Sequence, residues 1–314
     1  MDVSDAFLMS AQFAVVLSAP PMFVAWIRML KCWSQGRASA GLFQPYRDII
    51  KLFGKEATLA ENASPIFRMT PYIVFGATLT AGMLIPTFYA NLPFSSSADV
   101  IALVAIFALT RFFIALAGMD VGTAFGGMGS SREMMISALA EPAMLMVVFT
   151  LSLVSKSTSI SNIVQSVVQS GIYLRPSMIF ALLAFVLVVF AETGRIPVDN
   201  PATHLELTMI HEGMILEYSG WYLALMEWAH MMKVFILCSL GLALFFPYGI
   251  SLGTELPGLA VSLAAFAFKM AAIGVMITLM ETGLAKMRIF RVPEFLGSAF
   301  IFATIGMISF FTLE

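Results

Sequence analysis

The densest group of chemically active side chains lies between residues 192 and 220. Its ionisable members are Glu192, Arg195, Asp199, His204, Glu206, His211, Glu212 and Glu217. Carboxylates and neutral imidazoles exchange protons readily when burial moves their pKa. His204 and His211 are seven residues apart, about 10 Å along a helix, which is too far to chelate one metal ion. The pattern favours proton handling in a segment folded back into the protein; a solvated acidic loop is the alternative.

Ionisable residues also interrupt long apolar segments of the chain. They are Arg111, Glu133, Glu141, Glu192, Glu227, His230, Lys233, Lys269 and Glu281. A charge at a bilayer centre costs about 2.5–3.5 kcal/mol on insertion scales, so we expect these groups to face one another, a partner or water. Except for Arg111, they form with Asp199, Glu206, Glu212 and Glu217 a predicted proton or ion pathway. The alternative is that ion pairs, for example Glu141 with Lys233, only hold the helices together.

The elements that position these residues are predicted to be membrane-spanning helices. Hydrophobic residues make up 60% of the 314 residues and charged residues 11%, whereas soluble domains carry about 25% charge. Because a crossing helix needs about 20 apolar residues, the sequence predicts an all-α integral membrane protein with about eight transmembrane helices in a single polytopic domain, residues 1–314. The predicted spans are Asp5–Leu30, Pro71–Ala90, Val100–Met119, Met134–Val154, Met178–Ala191, Trp221–Phe246, Gly258–Leu284 and Val292–Thr312.

Several function classes are excluded by composition. The net charge of -2 is too small for a nucleic-acid binder. Cys32 and Cys238 are the two cysteines, which excludes an Fe–S cluster held by this chain alone. The glycine-rich segment Gly122–Gly129 lacks the phosphate-loop pattern, and we expect it to form a tightly folded connection.

The distribution of basic residues predicts the orientation. Most of the 17 Lys and Arg residues flank the odd-numbered connections between spans, whereas Lys156 and Arg175 flank the even-numbered ones. Since cytoplasmic loops carry the excess of positive charge, we expect the odd-numbered connections in the cytoplasm, both termini outside, and location in the inner (cytoplasmic) membrane.

The first connection contains a short amphipathic helix. Pro45 suits its first position and Gly54 its end. Its apolar residues recur at helical spacing opposite its charged ones, so it either lies on the lipid surface or docks a soluble partner. The predicted docking residues on the cytoplasmic face are Arg37, Tyr46, Arg47, Asp48, Lys51, Arg195 and Arg288.

Five short motifs occur in an order that is typical of a known family. They are Gln44–Lys51 (QPYRDIIK), Ser131–Glu133 (SRE), Glu141–Pro142 (EP), Ala191–Asp199 (AETGRIPVD) and Glu217–Gly220 (EYSG). On these motifs the chain resembles subunit 1 of respiratory complex I. It resembles still more the membrane subunit of group 4 [NiFe] hydrogenases, of the formate hydrogenlyase subunit 4 and hydrogenase-4 component C type.

The resemblance implies a membrane anchor without a redox centre of its own. Its expected partners are a soluble Fe–S small subunit, a hydrogenase-like large subunit, antiporter-like membrane subunits and the lipid bilayer, with no nucleic acid. Fe–S clusters and a possible [NiFe] centre would belong to the partners, and a quinone is a possible ligand. Complex I members read D-x-P-E-A-E-x-E where this chain has Asp199-Asn-Pro-Ala202-Thr-His204-Leu-Glu206, so two family carboxylates are replaced. That difference weighs against a copy of the quinone site.

The leading interpretation is an ion-coupling membrane subunit of a redox-driven proton or sodium pump of the hydrogenase type. One alternative is the quinone-binding subunit of an NADH:quinone oxidoreductase-type complex. An alternative of another class is a stand-alone secondary transporter, although the sequence has no inverted repeat of the kind that such folds often contain.

Overall fold

The structure is a computed structural model that describes residues 3–90, 99–170, 175–199, 209–251, 253 and 255–313. Within these ranges the chain is almost entirely helical, which confirms the predicted fold class. Its helices are α1 (Val3–Ser34), α2 (Gln44–Phe53), α3 (Pro65–Leu84), α4 (Val100–Asp120), α5 (Ala124–Ser155), α6 (Ile160–Ser170), α7 (Pro176–Glu192), α8 (His211–Ile215), α9 (Gly220–Phe245), α10 (Leu256–Gly283) and α11 (Val292–Leu313).

Six helices of the described chain are long and apolar enough to cross a membrane: α1, α4, α5, α9, α10 and, with the 3₁₀ turn before it, α11. The apolar helix α7 has 17 residues, and α3 has 20. These two correspond to the predicted fifth and second spans. The chain is therefore a multi-pass membrane protein, and the predicted number of eight spans is approximate.

Two helices begin earlier than the apolar pattern indicates. Helix α3 begins at Pro65 rather than Pro71, because Ser64 caps it by accepting a hydrogen bond from the Ile66 N–H at 3.1 Å. Helix α5 begins at Ala124, ten residues before the predicted Met134, and Thr123 caps it. Most of the glycine-rich segment is therefore helical rather than an irregular connection. Helix α6 is a further element that the sequence pattern did not predict.

Helix α9 is the central helix of the described bundle. Almost every residue from Met231 to Phe245 is buried. Helices α1 and α3 pack against α9, α4 packs against α3 and α5, and α11 packs against both α5 and α7. Helix α10 lies at the edge against α1, with many large apolar residues exposed. The helices that carry predicted pathway residues therefore pack against α9 or against a helix that contacts α9.

The described connections between helices gather at two ends of the bundle. At one end the Thr58 N–H donates to Ser219 Oγ at 2.8 Å, and the Met287 N–H donates to the Pro197 carbonyl at 2.9 Å. We call this end, which contains residues 35–64, 121–123, 193–199, 209–219 and 284–291, the basic end. At the opposite end the Val100 N–H donates to the Thr158 carbonyl at 3.1 Å.

Candidate functional site

A buried chain of charges joins four helices near the middle of the bundle. Arg111 on α4 is 4% exposed and donates to the carboxylates of both Glu192 on α7 and Glu141 on α5, the latter at 2.6 Å. Lys233 on α9 lies 3.1 Å from the second oxygen of Glu192. Ser137 Oγ donates to Glu141 Oε1 at 2.8 Å. Two cations and two anions alternate, so the group is neutral as a whole. We call these four ionised residues the Arg111 network.

A small cavity with many ionisable residues in its lining adjoins the Arg111 network. Its volume of about 50 Å³ leaves room for a few water molecules. The ionisable residues that line it are Arg111, Glu133, Glu192, Asp199, His211, Glu212, His230 and Lys233. They come from four long helices and from the connection between α7 and α9. The cavity thus brings together, around space for water, residues that are far apart in the sequence.

Two histidines stack face to face at this cavity. The rings of His211 and His230 have centroids 4.4 Å apart and an interplanar angle of 26°. Burial and the neighbouring Lys233 lower the pKa of His211 to about 4, so its imidazole is neutral at pH 7. Its Nε2 is buried and has no hydrogen-bond partner among the residues that the structure describes. His211 was not among the predicted pathway residues, although the sequence analysis noted its place in the acidic connection.

Glycines on α4 and α5 bring α8, and with it His211, against the cavity. A Cβ atom at Gly129 would lie 2.8 Å from the Ile210 carbonyl oxygen, and one at Gly118 would lie 2.5 Å from Ser130 Oγ. A Cβ at Gly126 would overlap the Gly118 carbonyl oxygen. The glycine-rich segment therefore serves close helix packing next to the site, which composition alone did not reveal.

A second group of ion pairs connects the cavity to the basic end. Glu281 on α10 accepts from Arg195 Nη1 at 2.6 Å and from Lys31 Nζ at 3.2 Å. Asp199, which also lines the cavity, accepts from Lys286 Nζ at 2.6 Å. The connection between α7 and α9 is therefore tied by charge to both α1 and the segment after α10.

Some predicted pathway residues of the described chain do not line the cavity: Glu141, Glu217, Glu227, Lys269 and Glu281. Glu141 still belongs to the Arg111 network, and Glu281 belongs to the second group of ion pairs. Glu217 and Glu227 are partly buried elsewhere. Lys269 on α10 donates to the carbonyls that follow α9, as described below.

Two further expectations about the pathway have different outcomes. Glu206 lies outside the described residues. The pair suggested between Glu141 and Lys233 is not formed, because Arg111 and Glu192 lie between them.

The predicted docking segment forms the amphipathic helix α2. Ile49 is buried against Val24 and Met231, whereas Ile50 is 70% exposed. Tyr46 donates from its hydroxyl to the Ser18 carbonyl, and Asp48 accepts from Gln44 at 2.8 Å. Of the other docking residues, Arg195 is committed to Glu281, and Arg37, Arg47, Lys51 and Arg288 are exposed at the basic end.

Comparison with known proteins identifies the family of the chain. Residues 7–312 match the NADH dehydrogenase family. The chain belongs to the NADH dehydrogenase family. It is 32% identical over 302 residues to hydrogenase-4 component C of Escherichia coli (strain K12), covering 96% of this chain and 95% of that protein. It is 30% identical over 298 residues to formate hydrogenlyase subunit 4 of the same organism, covering 95% and 96%.

Complex I subunits are also related. NADH-quinone oxidoreductase subunit 8 of Rhodothermus marinus is 29% identical over 217 residues, covering 66% of this chain and 61% of that protein. The fold matches a chain of the membrane-bound sulfane sulfur reductase, an archaeal respiratory membrane complex, with a TM-score of 0.80, 21% identity and 98% coverage of both chains. The resemblance inferred from the motifs is confirmed, and the chain is a membrane subunit of a complex I-like assembly.

Two of the five motifs noted in the sequence have clear structural roles. The motif Ala191–Asp199 supplies Glu192 to the Arg111 network, Arg195 to Glu281 and Asp199 to Lys286. In the motif Glu217–Gly220, Tyr218 stacks on Phe67 with ring centroids 3.9 Å apart and donates to its carbonyl at 2.8 Å. Gly220 has φ of +57°, and a Cβ there would lie 2.9 Å from the Ala57 backbone.

Proposed function

We propose that this chain is the membrane anchor and ion-coupling subunit of a hydrogenase-type, redox-driven proton or sodium pump. The observation that carries the proposal is the cavity where the Arg111 network meets Glu133 and the His211–His230 stack. Such a site combines carboxylates that exchange protons, neutral imidazoles and space for water, which are the parts of a proton relay.

The alternation of cations and anions in the Arg111 network could couple protonation of one residue to the charge state of the others. Protonating Glu192 would leave Arg111 and Lys233 without their shared anion, so the cluster would gain a positive charge within the bundle. That charge would act on every ionisable group around the cavity, because electrostatic interactions are strong where water is scarce. A redox event beside the basic end would alter the protonation of Asp199 or Glu212. The resulting change in charge would alter the electrostatic potential at Lys233 on α9.

The basic end is the proposed cytoplasmic face. There the exposed cations of α2 and its surroundings would contact a soluble Fe–S small subunit and a hydrogenase-like large subunit. Antiporter-like membrane subunits would pack on the lipid-facing helices. The Fe–S clusters, and any [NiFe] centre, would belong to those partners, and this chain would supply anchoring and the ion path.

A quinone-binding role is the second candidate. A cavity of about 920 Å³ lies at the basic end between α1 and α2, lined by polar and charged residues that include Arg28, Arg37, Gln44 and Glu281. Its size suits a quinone head group. Inhibition of turnover by quinone-site inhibitors, with loss of inhibition in Gln44→Ala, would favour this candidate over the hydrogenase-type pump.

The test compares unbalanced and balanced variants of the Arg111 network in the reconstituted complex. Lys233→Met leaves Glu192 partly uncompensated, and an unpaired buried charge costs about 3–5 kcal/mol, so the yield should fall. The double variant Glu192→Gln/Lys233→Met keeps Arg111 with Glu141 and restores neutrality. We expect its yield and redox turnover to recover while ion uptake stays lost.

The control is Glu255→Gln, which removes an exposed carboxylate at the opposite end. It should leave yield, turnover and uptake unchanged. Recovery of full ion uptake together with yield in the double variant would show that the network only holds the helices together.

A further inference from the structure

An apolar groove runs along the outside of the central helix. It lies between α7, α9 and α10 and has a volume of about 310 Å³. Phe185 and Val189 of α7, Leu237 of α9 and Ile273 of α10 are among its walls. Lys269 is the one charged residue in the described lining. The apolar walls suit an apolar occupant, and Lys269 offers a place for one anionic group.

Lys269 stands where α9 ends. Its Nζ donates to the Phe246 carbonyl at 3.0 Å and to the Tyr248 carbonyl at 2.6 Å. These carbonyls follow the last helical residue, where the negative end of the helix dipole makes a cation favourable. An ammonium group has three N–H donors, and these two bonds use two of them. The third can be given to an anion at the end of the groove.

The dimensions fit one leaflet of a bilayer. Lys269 and Ile277, both in the lining, are eight residues apart on α10, about 12 Å along the helix. Half of the hydrocarbon core of a membrane is about 15 Å thick. Phe246 and Met276 line the groove and are 47% and 45% exposed, so it is open toward the lipid.

We propose that this groove binds an anionic phospholipid, with an acyl chain along α9 and its phosphate on Lys269. The competing occupant is an apolar helix of another subunit. Such a helix would offer Lys269 an anion only by burying an acidic side chain among apolar residues, which is costly. The assignment also explains why Lys269 lies apart from the Arg111 network, although the sequence suggested that it belonged to the ion path.

The test is native mass spectrometry of the purified complex, titrated with phosphatidylglycerol and with phosphatidylcholine of the same acyl chains. We expect phosphatidylglycerol to bind more tightly. Lys269→Gln should weaken its binding about fivefold and leave phosphatidylcholine unchanged, since one lysine at an anionic membrane surface contributes about that factor. Lys269→Arg should keep the preference.

One further variant and two controls separate the groove from the charge. Ala272→Phe fills the groove while keeping Lys269, and it should weaken binding of both lipids, whereas Ala267→Phe on the exposed surface of the same helix should not. Arg68→Gln, which removes an exposed cation elsewhere, should not change the lipid preference.

Three outcomes would overturn the proposal. The first is equal binding of the two lipids by the native complex. The second is an undiminished preference for phosphatidylglycerol in Lys269→Gln, or undiminished binding of both lipids in Ala272→Phe. The third is a photo-crosslink from a benzophenone side chain at position 272 that captures a polypeptide instead of lipid.

Discussion

His211 and His230 stack with their ring centroids 4.4 Å apart, and this contact joins the connection after α7 to the central helix α9. Lys233 lies one helical turn beyond His230 on the same helix and is paired with Glu192. A proton placed on either imidazole would therefore meet the charge of Lys233 at short range. The stack is stable as a neutral pair, and its protonation would be opposed by both burial and repulsion.

The pH dependence of this contact follows from the pKa of His211. Its folded pKa of about 4 lies below the ordinary value of 6.5, so the unfolded connection binds a proton that the folded one does not. The contribution of neutral His211 to the free energy of unfolding is therefore fully present above pH 6.5. It is lost as the pH drops toward 4, by up to about 3 kcal/mol. The hydrogen-exchange protection of residues 209–219, corrected for the pH dependence of the intrinsic exchange rate, should decrease between pH 7.5 and 5 in the native complex. His211→Gln, which cannot take up this proton, should lose most of that dependence.

Close packing of α4 and α5 gives a second prediction, with a matched control in the same helix. Gly126→Ala places a Cβ against the Gly118 carbonyl oxygen, so the backbones must separate, and we expect a loss of roughly 1–3 kcal/mol. Gly127→Ala meets nothing within 4 Å and gains helix propensity. Thermal unfolding of the detergent-solubilised complex should show a lower midpoint for the first variant only. Equal midpoints would mean that α8 and the cavity do not depend on this contact.

Much of the architecture could be predicted because an apolar segment of about 20 residues in a membrane protein forms a helix that crosses the bilayer. The spans containing α4, α9 and α10 were predicted within a few residues of their observed limits. Because a charge within the membrane needs a partner, Arg111, Glu192 and Lys233 were expected to face one another, a partner or water, and they face one another. The family motifs were recognisable because their residue order is specific.

The pairing of those charges could not be predicted, because it depends on how neighbouring helices are rotated and shifted. Glu141 faces Arg111 on α4 rather than Lys233 on α9. Lys269 looked like a mid-membrane charge, yet the end of α9 lies beside it and receives its hydrogen bonds. The role of Gly126 and Gly129 also escaped detection, since glycine is a poor helix former and only the partner helix explains its presence.

The two ends of the bundle lead to a prediction about topology. In a variant lacking Cys32 and Cys238, single cysteines at Glu56 and at Lys156 would occupy exposed positions at the basic and the opposite end. A membrane-impermeant maleimide should label position 156 from outside intact cells and position 56 only after the membrane is opened. Labelling of both positions from the same side would contradict the arrangement of connections at the two ends.

Docking of a soluble partner on α2 gives the last prediction. Arg47 and Lys51 are exposed on this helix, while Ile49 holds it against Val24 and Met231. Arg47→Glu/Lys51→Glu changes the surface charge by four units and leaves that anchoring contact intact, so the membrane part should still assemble. We expect the soluble subunits to be released at moderate salt. The introduced glutamates would repel the partner carboxylates that the native cations attract, and salt screens the exposed ion pairs that remain. Blue-native electrophoresis of washed membranes should then show the membrane part alone. The control variant Lys156→Glu, at the opposite end, should retain the soluble subunits. Full retention of the soluble subunits in Arg47→Glu/Lys51→Glu would exclude α2 as the docking surface.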